Sequence, residues 1–286
     1  MAANNMKAVK LRMKSIQSTM QITKAMELVA ASKLRKAKDR AEAVRPSYEV
    51  LREALMRMAA ENTDFASVYT KDTGSDRYCC VVIAGDRGLA GGYNSNLFKA
   101  FEAEMKGKDC CVIPVGKKAV EYFRKRGTEI LTEEYAQASD ISIADVFEIA
   151  GIICRGYRKK EYGHVMLCYT FFRSMLEQNA GTMSLLPLSD FAPDKVERNE
   201  ARNLILYEPD SEAVFDAVVP EYLTTLIYGA LCESVASELA ARRTAMDAAT
   251  SNAEEMLGNL ELYYNRARQA GITQEITEIV AGAEGL

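Results

Sequence analysis

The chain has 286 residues, 48% of them hydrophobic and 27% charged, with a formal net charge of −4 at pH 7. This composition is typical of a folded protein with a hydrophobic core and excludes a low-complexity chain; the length allows one or two domains. The seven cysteines, in a chain whose first residues show no export signal, do not indicate a disulfide framework. We expect buried, reduced thiols in a cytoplasmic protein.

Glycine and proline divide the chain into three parts. Residues 1–73 contain no glycine and only one proline, whereas residues 74–209 hold twelve of the seventeen glycines and four of the six prolines. Because both residues are unfavourable inside helices, we predict an N-terminal helix at 1–60, a central domain at 74–205 and a C-terminal helix at 210–286. A helix of ~70 residues reaches roughly 100 Å. We therefore expect the two ends to pair and project as a shaft, which favours a mechanical or bridging function.

The first helix carries a seven-residue repeat. Two rows follow it, the first Met6, Met13, Met20, Glu27, Leu34 and Ala41, and the second Val9, Ile16, Thr23, Ala30, Ala37 and Val44. Such rows form the seam of a coiled coil. Between Lys7 and Arg40 the helix also has ten basic residues against two acidic ones. This charge is compatible with a solvated face, a nucleic-acid arm or a surface that meets an acidic protein partner.

The central part alternates between strand and helix patterns. The predicted elements in chain order are Tyr78–Ala84, Ser95–Lys106, Cys110–Val115, Lys117–Arg126, Glu129–Thr132, Ser142–Arg158, His164–Phe172 and Met183–Leu188. This alternation predicts a small parallel or mixed sheet with helices on its faces, closed by an antiparallel pair of strands. In the helix Ser142–Arg158 we expect one core face, formed by Ile143, Val146, Phe147, Ala150, Ile153 and Cys154. The polar segment Phe191–Arg202 is predicted to be a flexible connection.

Chemistry-bearing motifs are few. The loop Gly85–Gly92 joins a strand to a helix, where phosphate cradles occur, but it lacks the Lys-Ser/Thr pair of a P-loop and favours a tight turn. With His164 as the only histidine, we predict no catalytic group, no metal site and no cofactor. The apolar stretch Val214–Leu231 is interrupted by charges and Pro220. It falls short of the ~20 apolar residues of a membrane span, so no direct membrane insertion is expected.

The C-terminal helix also carries two rows with seven-residue spacing, and we predict that they pack against those of the first helix. These are Leu239, Met246, Ala253, Leu260 and Ala267, and Val235, Arg242, Ala249, Met256, Tyr263 and Ala270. An antiparallel pairing of the two helices within one chain is the simplest arrangement, and a homodimeric coiled coil is the alternative. The last turns extend beyond what residues 1–60 cover. They carry an apolar stripe without an intrachain partner, which indicates an interface: Ile272, Ile276, Ile279 and Val280.

Three sequence blocks together carry a family resemblance. They run from Ile22 to Arg35 (ITKAMELVAASKLR), from Gly85 to Asn94 (GDRGLAGGYN) and from Tyr264 to Ala283 (YNRARQAGITQEITEIVAGA). With them the chain resembles, over its whole length, the gamma subunits of bacterial F-type ATP synthases. The resemblance implies a non-catalytic central stalk, or rotor, that couples ion flow through a membrane ring to ATP synthesis and hydrolysis by rotation. It also implies the fold class: an antiparallel coiled coil of both terminal helices with a central Rossmann-like α/β domain.

The resemblance implies partners and contact residues as well. The partners are the alpha and beta subunits of an alpha3beta3 ring, the epsilon subunit and the c-ring, at the cytoplasmic face of the cell membrane, where the chain is peripheral. The implied contacts with beta are Lys24, Met26, Lys33, Arg35, Lys36, Arg268, Gln269, Thr273 and Glu275. An apolar bearing would receive Ile272, Ile276, Ile279 and Val280, and the ring and epsilon would meet Tyr207 and Glu208.

Two other functions are considered. A nucleic-acid arm would need aromatic residues among the lysines to stack bases, and between Met1 and Arg45 there are none. A small nucleotide-using enzyme would need the loop Gly85–Gly92 to bind phosphate. The resemblance favours the acidic protein partner for the basic helix, and no nucleic-acid partner is predicted.

Overall fold

The computed structural model describes residues 2–61, 66–71, 73–191 and 207–284. Its helices and strands are α1 Ala2–Glu61, β1 Tyr78–Ile83, α2 Tyr93–Glu104, β2 Cys110–Val115, α3 Lys117–Arg126, β3 Glu129–Ile130, α4 Ile143–Arg158, β4 His164–Phe172, β5 Gln178–Leu186 and α5 Ser211–Glu284. The chain forms two compact units, one made of residues 1–32 with 242–286 and the other of residues 33–241. The three-part division at 1–60, 74–205 and 210–286 stays a prediction.

The first unit is a pair of helices, the start of α1 and the end of α5. The two rows predicted on α1 are buried or half-buried at every position from Met6 to Ala30. On α5 the row from Met246 to Ala267 is also confirmed. The second predicted row is half-buried as far as Ala249 and is wrong by one residue from Met256 onward: Met256, Tyr263 and Ala270 are exposed. Their neighbours Leu257, Tyr264 and Gly271 are half-buried instead, and Thr250, next to Ala249, is buried.

The second unit is built on a five-stranded sheet with the order β3-β2-β1-β4-β5. The first four strands are parallel, and β5 is antiparallel to β4. A mixed sheet with a closing antiparallel pair was predicted and is confirmed. The order 3-2-1-4-5 is that of a Rossmann-like domain. β5 begins at Gln178 and not at Met183, because an antiparallel edge strand can be polar and still pair through its backbone.

Each face of the sheet packs against helices. One face packs on α4 and on parts of α1 and α5, including Leu55 and Phe215. The other face packs on α2 and α3 through Leu97, Phe101 and Phe123. The adjacent residues Cys79 and Cys80 lie on opposite faces, as expected for neighbours on a strand. All seven cysteines are free thiols, and only Cys110 is partly exposed.

In the second unit α1 and α5 run antiparallel. The Cβ position of Gly229 lies 3.8 Å from a methyl group of Val44, and the rings of Tyr48 and Tyr222 stack at 5.8 Å. Thus residue numbers rise along one helix as they fall along the other. The fold class predicted from the sequence, an antiparallel pair of terminal helices with a central Rossmann-like α/β domain, is confirmed.

The apolar first part of α5 meets the length and composition of a membrane span, but it is a core element of the second unit, where Val219, Leu223 and Ile227 are buried. Pro220 lies inside this helix and cannot donate to the carbonyl of Asp216, four residues earlier. Arg158 Nη2 donates to that carbonyl instead, at 3.4 Å. The proline is therefore accommodated by a side chain of α4.

The helix α4 differs from its prediction. It is capped by Ser142, whose side chain and that of Asp145 form a capping box. The predicted core face is right for Val146, Ala150, Ile153 and Cys154, but Ile143 and Phe147 are 57% and 50% exposed. Both lie in the first turns of the helix, at the rim of the core. The predicted connection Phe191–Arg202 lies outside the described residues, apart from Phe191, which is buried.

Candidate functional site

The first candidate site is the crevice at the carboxyl ends of the parallel strands. In Rossmann-like sheets, ligands bind where the strand order reverses. Here the order reverses between β1 and β4. The glycine-rich loop Gly85–Gly92 follows β1 at this point, so its surroundings decide whether it can hold a nucleotide.

This crevice is filled by α5 of the same unit. Ser234 Oγ donates to the carbonyl of Ile83 at 3.4 Å, and the hydroxyl groups of Tyr93 and Ser234 are 2.7 Å apart. Burial raises the pKa of Tyr93, so its hydroxyl stays protonated and available for this bond. Ser237 Oγ donates to the carbonyl of Thr170 at the end of β4 (3.1 Å). The ends of both strands are thus bonded to a helix of the chain.

The polar groups of the loop are also engaged in the fold. Asp86 accepts hydrogen bonds from the backbone N–H groups of Ala138 (2.8 Å), Ser139 (3.1 Å) and Lys117 (3.4 Å). The backbone N–H of Gly85 donates to Asn94 Oδ1 at 2.9 Å. These contacts fit the tight turn that the sequence favours. Over the residues that the structure describes, no group of three or more His, Cys, Asp or Glu is placed to hold a metal ion.

The second candidate site is the helical pair of the first unit. Thr23 and Thr250 are 8% and 6% exposed, and their hydroxyl oxygens lie 2.8 Å apart across the seam. Next to them, Lys24 Nζ donates to Glu27 Oε2 at 2.9 Å. This bond raises the pKa of Lys24, and the nearby carboxylates of Asp247 and Glu254 add to the effect. Polar contacts therefore join the two helices in a seam that is otherwise mostly apolar.

Sequence reasoning placed Thr23 in the seam but missed its partner Thr250. The position of Thr250 was the available signal, because it follows the seam residue Met246 by four residues and precedes the seam residue Ala253 by three. The spacing alone did not separate it from Ala249, which belongs to the predicted row.

The predicted basic contact residues are exposed. Lys24 and Met26 belong to the first unit, where Met26 is half-buried, whereas Lys33, Arg35 and Lys36 belong to the second unit. Lys24 makes an ion pair with Glu27. Within the described part of the chain, no ion pair is recorded for the other three cations, so their charge faces solvent. Their proposed contact with beta stays a prediction.

The predicted contact residues near the C-terminus are all exposed on α5: Arg268, Gln269, Thr273 and Glu275. Of this set, Thr273 and Gln269 are in contact, because Thr273 Oγ1 donates to the carbonyl of Gln269 at 2.9 Å. That bond uses the backbone carbonyl of Gln269 and not its side-chain amide. The arrangement presents polar side chains to solvent within one stretch of helix.

The end of α5 exposes the predicted apolar stripe. Gly271 is the last half-buried position, and every described side chain after it is exposed. The exposed fractions are 49% for Ile272, 56% for Ile276, 71% for Ile279 and 51% for Val280. Four large aliphatic side chains on three turns of a helix form an apolar surface of the kind found at interfaces.

The predicted ring contacts precede α5 in the second unit. Tyr207 is half-buried and Glu208 is exposed. Both lie just before Asp210, whose carboxylate accepts a hydrogen bond from the backbone N–H of Ala213 at 2.7 Å and caps the helix. This cap fixes the first turn of α5, which begins shortly after Tyr207 and Glu208.

These features define an α/β protein whose Rossmann-like crevice is occupied by its own helix and whose terminal helices expose an apolar end. A family model described as ATP synthase matches residues 5–286. The chain is 44% identical over 280 residues to an ATP synthase gamma chain of Ruminococcus albus, covering 96% of each protein. It is 39% identical to a gamma chain described as sodium ion specific in Acetobacterium woodii, covering 99% of each. The chain belongs to the ATP synthase gamma-chain family.

Solved structures show the same fold. A chain of the Euglena gracilis mitochondrial ATP synthase, in a complex described as OSCP/F1/c-ring, superposes with a TM-score of 0.67 at 20% identity. This match covers 99% of the present chain and 95% of the other. A chain of the rotor of the same enzyme gives a TM-score of 0.62 at 19% identity, covering 94% and 99%. At these identities the likeness concerns the fold.

Proposed function

We propose that this chain is the rotor gamma subunit of an F-type ATP synthase. In this role it couples ion flow through a membrane ring to ATP synthesis and hydrolysis on other subunits. The chain itself is non-catalytic. Membership of the gamma-chain family supports this role, and so does the crevice filled by Ser234, which leaves the Rossmann-like domain without an open nucleotide site.

The observation that carries the proposal is the exposed apolar stripe at the end of α5, formed by Ile272, Ile276, Ile279 and Val280. Burying a side chain of this size contributes about 1.5–3 kcal/mol. An apolar sleeve formed by the alpha and beta subunits would cover the stripe. A surface that is exposed in the isolated chain would then become a bearing in the complex.

The coupling follows from differential contacts. A rotor that sits asymmetrically in a ring of three alpha and three beta subunits touches each beta subunit differently. Only such a difference can shift the conformational equilibrium of a partner. By linkage, nucleotide binding at the beta subunits acts back on the orientation of the rotor, so that hydrolysis runs the rotation in reverse.

The contacts with beta divide into two groups. Lys24, Lys33, Arg35 and Lys36, with Met26 among them, offer exposed positive charge to an acidic surface. Arg268, Gln269, Thr273 and Glu275 offer hydrogen-bonding groups near the end of α5. Each exposed ion pair contributes only ~0–1 kcal/mol, so these contacts determine coupling more than the strength of assembly.

The contacts with epsilon and the c-ring are assigned to Tyr207 and Glu208, just before α5. The chain would then lie at the cytoplasmic face of the bacterial membrane and be attached through partners, without inserting. The apolar part of α5 supports this placement, because its side chains are used in the core.

Purification of the complex tests the proposal. Three alpha subunits, three beta subunits and one epsilon subunit should co-purify with each copy of this chain. Absence of alpha and beta from a tagged preparation that contains the folded chain would refute the rotor function.

A substitution separates coupling from assembly. Arg268→Ala should leave assembly and ATP hydrolysis in place and reduce ion pumping per ATP hydrolysed. Arg266→Ala removes the same charge from an exposed neighbour two residues away and is the matched control. Full pumping by the Arg268→Ala complex would contradict the assigned contact.

A further inference from the structure

We propose that the sulfur atoms of Cys80, Cys110 and Met105 form a binding site for a soft monovalent metal ion of the Cu(I) class. The site involves none of the residues assigned to partner contacts and does not depend on the rotor function. Adjacent cysteines on a strand point to opposite faces of a sheet, so neither Cys79 with Cys80 nor Cys110 with Cys111 can hold one ion alone. The pairing of β1 with β2 instead brings together one cysteine of each pair.

The strand register places the three sulfur atoms on one face of the sheet. In the parallel pair of β1 and β2, Tyr78 lies opposite Cys110. Cys80 is two residues beyond Tyr78, so Cys80 and Cys110 share the face that packs on α2 and α3. A hydrogen bond joins their thiols. Met105 directly follows α2, and the Cys80 thiol donates to its thioether sulfur at 3.5 Å. Sulfur atoms from three elements therefore meet at Cys80.

The spacing of these groups suits an ion better than a covalent bond. With metal–sulfur bonds of about 2.3 Å, two sulfur ligands of one ion lie ~3.8–4.6 Å apart. The separation of 3.5 Å between Cys80 Sγ and Met105 Sδ is slightly shorter, and the flexible methionine side chain can widen it. Cys80 and Cys110 are offset by two residues on neighbouring strands, which puts their Cα atoms ~8 Å apart, beyond the ~4.4–6.8 Å of a disulfide.

The ligand set selects a soft ion. Thiolate and thioether ligands favour Cu(I), whereas Mg²⁺ and Ca²⁺ require oxygen ligands. A structural zinc site needs four nitrogen or sulfur ligands, and in the described residues no three His, Cys, Asp or Glu side chains are placed to hold a metal ion. The surroundings are apolar, with Val82, Phe101 and Phe123 in the same cluster. In such surroundings the attraction between a cation and a thiolate is stronger than in water.

An ion can reach the site from solvent at Cys110. Cys110 is the half-buried member of the seven free thiols, and the other six are buried. The turn at residues 106–109 precedes it, and three of its four residues are exposed. The comparable pair on the other face, Cys79 and Cys111, lies directly opposite in the register, but both residues are 0% exposed. The open turn therefore distinguishes the proposed site from this second pair.

A bound ion would connect three elements of the second unit. It forms bonds with the thiolates of Cys80 and Cys110 and with the thioether of Met105, and the two thiol protons pass to solvent. These bonds link β1, β2 and the end of α2. Because an ion that prefers the folded chain stabilises it, the melting temperature should rise with the concentration of Cu(I).

The test measures the Kd for Cu(I) on the reduced, full-length chain without oxygen, in competition with the chromophoric chelator bicinchoninate. Removal of a residue behind a metal ligand already weakens metal binding about 10–100-fold, so Met105→Leu and Cys110→Ala, which remove ligands, should each raise the Kd by at least about tenfold. Met183→Leu and Cys111→Ala are the matched controls, because these residues belong to the other face of the sheet. Both controls should leave the Kd unchanged, and circular dichroism verifies the folding of each variant.

X-ray absorption at the copper edge tests the ligand set without relying on the stability of a variant. The unsubstituted chain should show three sulfur neighbours at about 2.3 Å, and Met105→Leu should show one fewer. Zn²⁺ at the same concentration should raise the melting temperature less than Cu(I).

Three results would overturn the inference. The first is an unchanged Kd in both Met105→Leu and Cys110→Ala. The second is an equal loss of affinity in Cys111→Ala, which would place the ion on the other face of the sheet. The third is nitrogen or oxygen neighbours in place of sulfur around the copper. Failure of the chain to assemble with alpha and beta subunits would refute the rotor function and leave this site untouched.

Discussion

Gly85 lies directly against the side chain of Glu238, and a Cβ atom at position 85 would come within 2.8 Å of the Glu238 carboxyl carbon and of Oε1. Glu238 is 8% exposed, so its carboxylate has little room to move. The glycine is therefore required by the close approach of the loop to α5. This is a structural use of a loop that in other folds cradles phosphate.

The first prediction concerns this contact. Gly85→Ala should lower the free energy of unfolding by about 1–3 kcal/mol, because the added methyl group overpacks the loop against α5. Urea denaturation followed by circular dichroism measures the change. Gly88→Ala is the control, since no atom lies within 4 Å of its Cβ position, and its effect should stay within about 0.5 kcal/mol. Equal effects of both substitutions would contradict the argument.

The residues that pair the two terminal helices could be predicted from the sequence for α1 but only partly for α5. On α1 the seam residues stand among lysines and arginines, so the seven-residue spacing is distinct. On α5 alanine, methionine and tyrosine occur in adjacent rows. Tyr263 and Tyr264 are adjacent and chemically identical, yet Tyr264 is half-buried in the structure and Tyr263 is exposed. Periodicity cannot choose between such residues without the partner helix.

The second prediction concerns the core of the second unit. Leu55 of α1 is fully buried in the core that also includes residues of α4 and α5, so Leu55→Ala should cost about 2–5 kcal/mol through lost burial and the cavity that remains. Val50 lies on the same helix, is 66% exposed, and should tolerate replacement by alanine. Thermal denaturation of both variants tests the difference. A Leu55→Ala protein that melts like the Val50→Ala protein would show that this part of α1 is not a core element.

The candidate site shows a different limit of sequence reasoning. The stripe from Ile272 to Val280 was predicted because an apolar periodicity continued beyond the reach of the first helix. The filling of the crevice by Ser234 and Ser237 could not be predicted. Serines inside an apolar helix carry no signal for their long-range partners, Ile83 and Thr170. Only the tertiary structure brings residues 151 and 67 positions apart into contact.

The third prediction is that Cys110 is the thiol modified first. A hydrogen bond from the Cys80 thiol lowers the pKa of Cys110 to about 7, against the opposing effect of burial. Burial raises the pKa of Cys154, Cys168 and Cys232. Because the thiolate is the nucleophile, alkylation of Cys110 by iodoacetamide should rise as the pH passes about 7 and level off above it.

Mass spectrometry of the peptide that contains Cys110, over a series of pH values, measures this profile. Cys80→Ala removes the hydrogen-bond donor and should move the midpoint upward, toward the ordinary value of about 8.5 for cysteine. An unchanged midpoint in the Cys80→Ala variant would show that Cys80 is not the cause.

The fourth prediction separates the stability of the chain from its assembly. Ile276 is 56% exposed, so Ile276→Lys removes little intrachain packing and should change the free energy of unfolding by less than about 0.5 kcal/mol. In an apolar sleeve, however, the lysine would have to be buried or exclude the helix end, and a buried charge without a partner is strongly unfavourable. Co-purification with alpha and beta subunits, or pumping by the assembled complex, should therefore fall sharply.

Ala281→Lys is the matched control for this prediction. Ala281 is also exposed and lies five residues further along, about 140° around the helix from Ile276. It introduces the same charge on the face away from the stripe and should have the smaller effect. If both lysines impair assembly equally, the helix end is enclosed on all sides and the stripe is not its distinguishing surface. If neither does, the end of α5 lies outside any apolar sleeve, and the contact that carries the rotor proposal is absent.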